Sequence, residues 1–416
     1  MLLDSTLPRI LRPVYRYDSG AALLGGIFGG LTGPFLLVIA RRLGASPLTI
    51  SAMVAVPFLG HFLTLHWAAF MEGRRKKVFA VAAWTVARGM FLMAFFAGSV
   101  PLFAAMVIIA EVAEPLAGTA YAAMLVEMYP DRARAGAMSR AKIEGMLATI
   151  VATMVAGQVM AGQHDYRLVF PVAAFIGLSG VLVFSRIQSG AVQKVTPLST
   201  WYSVGILGRD EKFRSFSIAF FLAGAGHLIA KTAYPLVLVD VVHASNFQVA
   251  ALAAAAQVVQ LGAYFFWGRW IDAHTPAQAI VRGFMLLAGA SLVYLAPCTP
   301  WLSSNPTAWL LLPAAVLLGV GSGATELASV NCLFQLAPEG RAARYVSVHK
   351  GLVGIRGSLA PFVAVQLMHL AGWAGAFLTS VGLTMLGAVL LSRVSSALFV
   401  AEQAGQAPQE PRVAVE

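Results

Sequence analysis

The sequence predicts an all-α integral membrane protein of twelve transmembrane helices, arranged as two pseudo-symmetric six-helix bundles. Three observations carry this: the composition, the spacing of the apolar runs, and an internal likeness between the two halves. Hydrophobic residues make up 59% of the 416 and charged residues 11%, against roughly 45–50% and 25% in soluble domains. A single soluble core stops growing well before it needs so much apolar side chain, so the surplus is expected to face lipid.

A helix that crosses the hydrocarbon needs about 20 mostly apolar residues. Such runs fall at 19–40, 47–70, 78–97, 101–126, 141–162 and 168–186, then at 214–239, 246–270, 276–297, 307–335, 346–370 and 372–392. The last two are parted by little more than Ala371-Gly372, which makes eleven the rival count. The expected organisation is a cytoplasmic N-terminal segment (1–18), a first bundle (19–186), a cytoplasmic linker (187–213), a second bundle (214–392) and a cytoplasmic tail (393–416). No signal-peptide pattern precedes the first span, which is expected to act as its own insertion signal.

Orientation follows from Lys and Arg, which concentrate in cytoplasmic loops. Of the 29 in the chain, Arg41, Arg42 and Arg167 fall on the opposite side and Arg88, Lys231 and Arg356 within spans, leaving 23 on one side. Both termini are therefore expected inside, in the cytoplasmic membrane. The same clustering between apolar runs argues against reading the net charge of +11 as a nucleic-acid surface. Cys298 and Cys332 fall near opposite faces of this topology, so no disulfide is expected.

The halves look alike. Glu127-Met-Tyr-Pro-Asp131 with Ser139 and Lys142 matches Gln335-Leu-Ala-Pro-Glu339 with Ser347 and Lys350 at a constant offset of 208. Gly33-Pro-Phe-Leu-Leu37 in the first span matches Tyr234-Pro-Leu-Val-Leu238 in the seventh. An internal duplication of this kind is how many secondary transporters are built.

With six plus six helices, a cytoplasmic central linker and marker loops between the second and third and the eighth and ninth spans, residues 15–395 resemble the major facilitator superfamily. The resemblance implies marker loops reading Gly, three residues, Asp, then Gly followed by basic residues. The first copy keeps Gly73, Arg74 and Arg75 but has Phe70 at the acidic position and His66 at the leading glycine. The second keeps Gly268 and Asp272 and lacks the basic pair. Glycine permits close helix approach and an acid can sit on a neighbouring helix N-terminus; Arg74 to Lys77 also simply satisfy the positive-inside rule. Proton-driven drug exporters of this superfamily carry an Arg in helix 4 and a Gly-Pro in helix 5. This chain has glutamates in the fourth span and no Gly-Pro in the fifth, which weakens that label.

Ionisable groups at mid-bilayer are costly and usually functional. Six stand out: Glu111 and Glu114 in the fourth span, Glu326 in the tenth, Arg88 in the third, Lys231 in the seventh and Arg356 in the eleventh. They sum to zero, so mutual pairing is one expectation. The resemblance places helices 1, 4, 7 and 10 around a central cavity; four of the six, together with His227 one turn before Lys231, fall on helices 4, 7 and 10. The first span brings no charge but a run of glycines, Gly25, Gly26, Gly29, Gly30 and Gly33, beside Pro34.

Glu111 and Glu114 share a helix face, and two carboxylates that close repel when both are ionised, so one is expected to hold a proton. Either is the expected proton-coupling group, with Glu326 a second candidate. Lys231 is expected to meet an anionic substrate group or to act as a counter-ion. For each of these a structural ion pair is the competing explanation. Arg88 is expected to partner a group on helix 4 or helix 2. Arg356 lies six residues beyond Lys350, about 9 Å along a helix, and is expected to snorkel to the cytoplasm. Gln257, Gln260 and Asn331 suit interhelical hydrogen bonds, and His61 and His66 structural roles.

No closely spaced His/Cys group, no HExxH and no phosphate loop occur, so neither metal nor cofactor is expected and ATP-driven transport is disfavoured. The expected function is secondary active transport of a small organic solute by alternating access, proton-coupled, by a monomer whose partners are its solute, protons and the bilayer. Alternatives are a proton-driven efflux pump for amphipathic compounds, a non-transporting sensor on the same fold, and an intramembrane enzyme, for which no nucleophile–base or metal constellation is found.

Overall fold

A computed structural model describes residues 11–63, 67, 70–71, 74–160, 165–188, 205–300, 307–338 and 341–405. Its helices, in chain order, are α1 (Arg12–Arg42), α2 (Pro47–Phe62), α3 (Lys76–Phe95), α4 (Val100–Met128), α5 (Asp131–Val159) and α6 (Tyr166–Ser185). The second half continues with α7 (Glu211–Val241), α8 (Asn246–Ala273), α9 (Pro276–Cys298), α10 (Ala308–Leu336), α11 (342–370) and α12 (373–405). Nine stretches among the described residues are long and apolar enough to cross a bilayer by themselves, and the last of these, Arg344–Arg393, is two helices.

That last division falls where the sequence placed it. Ala371 leaves helical geometry (φ −139°, ψ 21°) and Gly372 adopts φ 61°, a left-handed conformation open chiefly to glycine. Elsewhere helix starts are set by local chemistry. Ser245 and Gln248 form a reciprocal capping box at the start of α8, and Ser46 and Thr275 cap α2 and α9 just before Pro47 and Pro276.

The duplicated proline segments break their helices at equivalent places. Gly33–Phe35 tightens into a 3-10 turn around Pro34, and Pro235 is followed by a π turn over Val237–Val241. Proline lacks the N–H that an interior helical position donates, so both first helices of the halves loosen towards the same end of the molecule.

Several boundaries depart from expectation: α12 runs on to residue 405, past the expected end at 392, and α2 ends at Phe62, short of 70. Helix α5 starts at Asp131, ten residues earlier than the apolar run at 141, and α1 starts at Arg12 instead of 19. In both cases the early turns are charged and carry no hydropathy signal; those of α5 are rich in Ala and Arg, good helix formers, and α1 opens with Pro13 in its first turn. The expected linker is a single turn, Ile206–Arg209, where it is described; residues 189–204 of it lie outside the described residues. Cys298 and Cys332 are both free.

The core shows how the halves meet. At the end away from the termini one apolar cluster runs through both, joining Phe35, Ile50 and Met160 to Leu236, Ala250 and Phe377. Towards the terminal end the core divides: Tyr15, Tyr129 and Phe184 pack in the first half, and Phe213, Trp267 and Tyr345 in the second.

Bonds between the halves gather at the joined end. Arg41 pairs with Asp240 at 2.8 Å, Arg42 donates to the Asn246 side chain at 2.5 Å, and Asn246 donates to the Met160 carbonyl at 2.7 Å. Ser51 reaches the Pro361 carbonyl at 2.8 Å. Glycine allows the closest approaches. A Cβ on Gly157 would overlap Ala250, and one on Gly357 would overlap the Phe58 ring. Small residues are the usual means by which membrane helices pack tightly.

Candidate functional site

Where the core divides, a cavity of about 1150 Å³ opens between the halves. Its walls come from α1, α3, α4, α5, α6, α8 and α10, and they include Glu111, Glu114 and Glu326 together with Arg88 and Gly268. The glycine run of α1 serves two purposes. Gly26 and Gly30 lie against the α5 backbone at Gly145 and Thr149, whereas Gly29 and Gly33 have open space before them and line the cavity.

Glu111 is half-buried and Glu114 exposed to the cavity. Glu114 accepts a hydrogen bond from the Trp84 indole at 3.1 Å. The Trp84 ring in turn carries the Arg88 guanidinium, 5.1 Å from its centroid. Arg88 is buried and donates to the Gly177 carbonyl of α6 at 2.9 Å. Its expected helix 4 partner is thus within electrostatic reach through Trp84, but its direct bond goes to a backbone carbonyl.

Lys231 stands on α7 with an exposed side chain, and neither it nor His227 is among the residues that line this cavity. It and Glu111 feel each other's charge across the seam between α7 and α4. His227, one turn earlier on α7, is half-buried, and its Nδ1 has no hydrogen-bond partner among the described residues.

Glu326 stands on α10 with a partner the sequence reading placed elsewhere. Lys142, counted with the basic residues of the cytoplasmic side although the fifth span begins at 141, belongs to α5 and puts its Nζ 2.5 Å from Glu326 Oε1, an ion pair between the halves. The other carboxylate oxygen accepts from the Tyr264 hydroxyl at 2.5 Å and from the Gln260 amide at 3.1 Å.

Arg356 corrects a second expectation. It does not snorkel: it is 9% exposed, donates to the Phe220 carbonyl of α7 at 2.6 Å and lies over the Phe220 ring. Gly224 leaves the space it occupies, and the ionisable groups around it are His227 and His349. The expected mutual neutralisation of six charges is therefore replaced by one new pair and two arginines that satisfy backbone carbonyls.

The first helix also brings a charge, contrary to expectation, because α1 begins early enough to include Asp18. That carboxylate is 2% exposed, lines the cavity, and accepts from Tyr121 at 3.0 Å and Tyr129 at 2.9 Å. Glu144 of α5, also passed over, accepts from Tyr15 at 3.2 Å and from Ser19 of α1.

The loop-motif residues are dispersed. Gly73 and His66 lie outside the described residues. Arg74 is exposed over the Phe70 ring at 4.5 Å, and Arg75 is exposed at the start of α3. Asp272 is exposed, and the start of α9 is capped by Thr275 instead. Asn331 bonds within its own helix, to the Leu327 carbonyl at 3.1 Å, and His61 to the Pro57 carbonyl of α2, so neither forms a cross-helix link. Among the described residues no group of three or more His, Cys, Asp or Glu is arranged to hold a metal.

Helices in two bundles of six, closed at one end around a charged cavity, have the architecture of a membrane transporter. The chain belongs to the Major Facilitator Superfamily: the family model matches residues 19–207 and 216–414. Solved structures share the fold over nearly the whole chain. The nucleoside transporter NupG aligns at TM-score 0.74 and 12% identity, covering 91% of this chain and 99% of that one. A POT family transporter in complex with 5-aminolevulinic acid aligns at 0.75 and 11%, covering 94% and 97%. A bacterial homologue of the human lysosomal transporter Spinster, in an inward-facing and unoccupied conformation, aligns at 0.64 and 15%, covering 95% and 98%. No curated protein matches the chain significantly by sequence.

Proposed function

We propose that the chain is a secondary active transporter that moves a small organic solute through the cytoplasmic membrane by alternating access, with proton coupling. One observation carries the reading. Glu111 and Glu114 from α4, Lys142 from α5 and Glu326 from α10 border a single cavity between the halves, where lipid-facing placement would have scattered them. Charges at membrane depth persist where protein or enclosed water shelters them. Glu111 and Glu114, three residues apart on one helix face, are assigned as the coupling pair, and Glu326 as the second candidate.

The positive-inside distribution puts both termini in the cytoplasm, so the cavity, which lies towards the terminal end, faces inward. The joined end then forms the extracellular closure. Opposite charges within reach of each other, Glu111 at the cavity wall and Lys231 behind it on α7, suit a solute bearing both an anionic and a cationic or polar group. No constellation for covalent chemistry is assigned to the site, and the chain is read as a transporter, not an enzyme.

A thermal-shift screen of purified protein against organic ions, followed by counterflow in proteoliposomes with each hit, tests this. Saturable counterflow of at least one hit is expected, and Lys231→Met is expected to weaken binding of anionic hits about tenfold. Stabilising ligands that never undergo counterflow would turn the reading to a sensor on a transporter fold. Unchanged anion affinity in Lys231→Met would remove that residue from the site.

A further inference from the structure

The surroundings of Glu326 have the chemistry of an ammonium site that a lysine of the opposite half happens to fill. Within the second half, Tyr264 and Gln260 of α8 both donate to Glu326 Oε2, and Gln260 also donates to the Tyr264 hydroxyl at 2.9 Å. This fixes the carboxylate and leaves Oε1 free for a cation. Lys142 takes that position from the first half, with its Nζ 5.1 Å from the centroid of the Tyr264 ring. A carboxylate oxygen beside an aromatic face attracts alkylammonium groups by charge and by the ring quadrupole.

The occupant is not locked in. The Lys142 and Glu326 side chains are 58% and 50% exposed, so the pair stands in the water of the cavity. Exposed ion pairs contribute little net stability, and a lysine ammonium is a compact, well-hydrated charge on a flexible stem. A cation arriving from the cavity therefore competes on nearly equal terms. The α8 wall beside the site, Leu261 and Phe265, is apolar and also lines the cavity.

We infer that Glu326, Tyr264 and Gln260 form a binding site for an organic ammonium group, and that Lys142 is a resident stand-in which the ligand's ammonium displaces. Displacement severs an ionic link between the halves, so occupancy of the site is tied to their relative movement. The transport consequence rests on the transporter reading above; the binding itself does not.

The test is titration of the purified, detergent-solubilised protein with phenethylammonium chloride, and with 2-phenylethanol at matched ionic strength, followed by thermal shift. Saturable stabilisation by the ammonium and none by the alcohol is expected. Lys142→Met, by removing the competitor, is expected to lower the half-saturating concentration at least threefold. Glu326→Gln is expected to raise it at least tenfold, Tyr264→Leu at least threefold, and Lys142→Arg to leave it within twofold of the parent.

The opposed signs at Lys142 and Glu326 are diagnostic, because a purely structural bridge makes both losses act in the same direction. If Glu326→Gln does not fold, Tyr264→Leu reads the same site with the acid kept. Absence of ammonium-specific saturation in the parent protein, or weaker binding in Lys142→Met, overturns the inference. Ammonium binding without solute flux in proteoliposomes would sink the transporter reading and leave the site standing. Flux of a solute without ammonium-specific binding would do the reverse.

Discussion

The two ends of the seam between the halves are built from different materials. At the joined end, glycines and small side chains bring backbones together, as at Gly157 against Ala250, and one apolar core runs through both halves. Towards the termini each half keeps its own core, and the halves face each other across a cavity lined by acids, Lys142 and Arg88. Close packing of this sort is either made or unmade, since packed interfaces have discrete arrangements and do not deform continuously. A water-lined seam has no such threshold. In the proposed transport cycle, opening the far end would trade a dry seam for a wet one.

Tying the dry end shut should have the largest effect. With Cys298→Ala and Cys332→Ala as background, Arg41→Cys plus Asp240→Cys joined by a cleavable bis-maleimide is expected to reduce solute flux to background, and cleavage to restore it. Full flux in quantitatively cross-linked protein would mean that the Arg41–Asp240 contact never has to part.

Filling the pocket that holds a buried arginine comes next. A Cβ on Gly224 would overlap the Arg356 guanidinium, so Gly224→Ala should push that charge off the Phe220 carbonyl, and overpacking of this kind costs about 1–3 kcal/mol. A lowered melting temperature is expected in a thermal-shift assay, together with reduced flux. Unaltered stability would mean that Arg356 has another low-energy position.

The smallest effect should come from Arg41→Ala alone. Its pair with Asp240 is part-exposed, at 25% and 29%, and such contacts are worth about 0–1 kcal/mol. A shift in the inward-to-outward population of at most about fivefold is therefore expected from spin-label distances across the joined end. A shift of a hundredfold would show that this pair, and not the glycine packing, holds the end closed.

Much of this architecture was legible in the sequence because lipid imposes long apolar runs, and even the narrow break at Ala371-Gly372 could be read from a glycine between two of them. The charged starts of α1 and α5 were not, since hydropathy does not register a helix that continues past the hydrocarbon. That blind spot hid Asp18, and Lys142, at the edge of the fifth apolar run, was counted with the cytoplasmic basic residues and not as the partner of Glu326. The concentration of Glu111, Glu114, Lys231 and Glu326 on helices 4, 7 and 10 was readable from the resemblance to a known family. The pairing was not: whether an arginine meets an acid or a carbonyl depends on the rotation of neighbouring helices, which linear spacing does not encode. Arg356 shows this well, for its sequence distance from Lys350 suggested an escape to water, whereas Gly224 on another helix gave it a place inside.

The most direct measurement is proton-gradient-driven accumulation against counterflow in proteoliposomes, for the parent protein, Glu111→Gln and Glu114→Gln. At least one variant should lose accumulation while keeping counterflow, because a glutamine preserves the cavity's shape but carries no exchangeable proton charge. Undiminished, pH-dependent accumulation in both variants would contradict the assignment of these two carboxylates as the coupling pair.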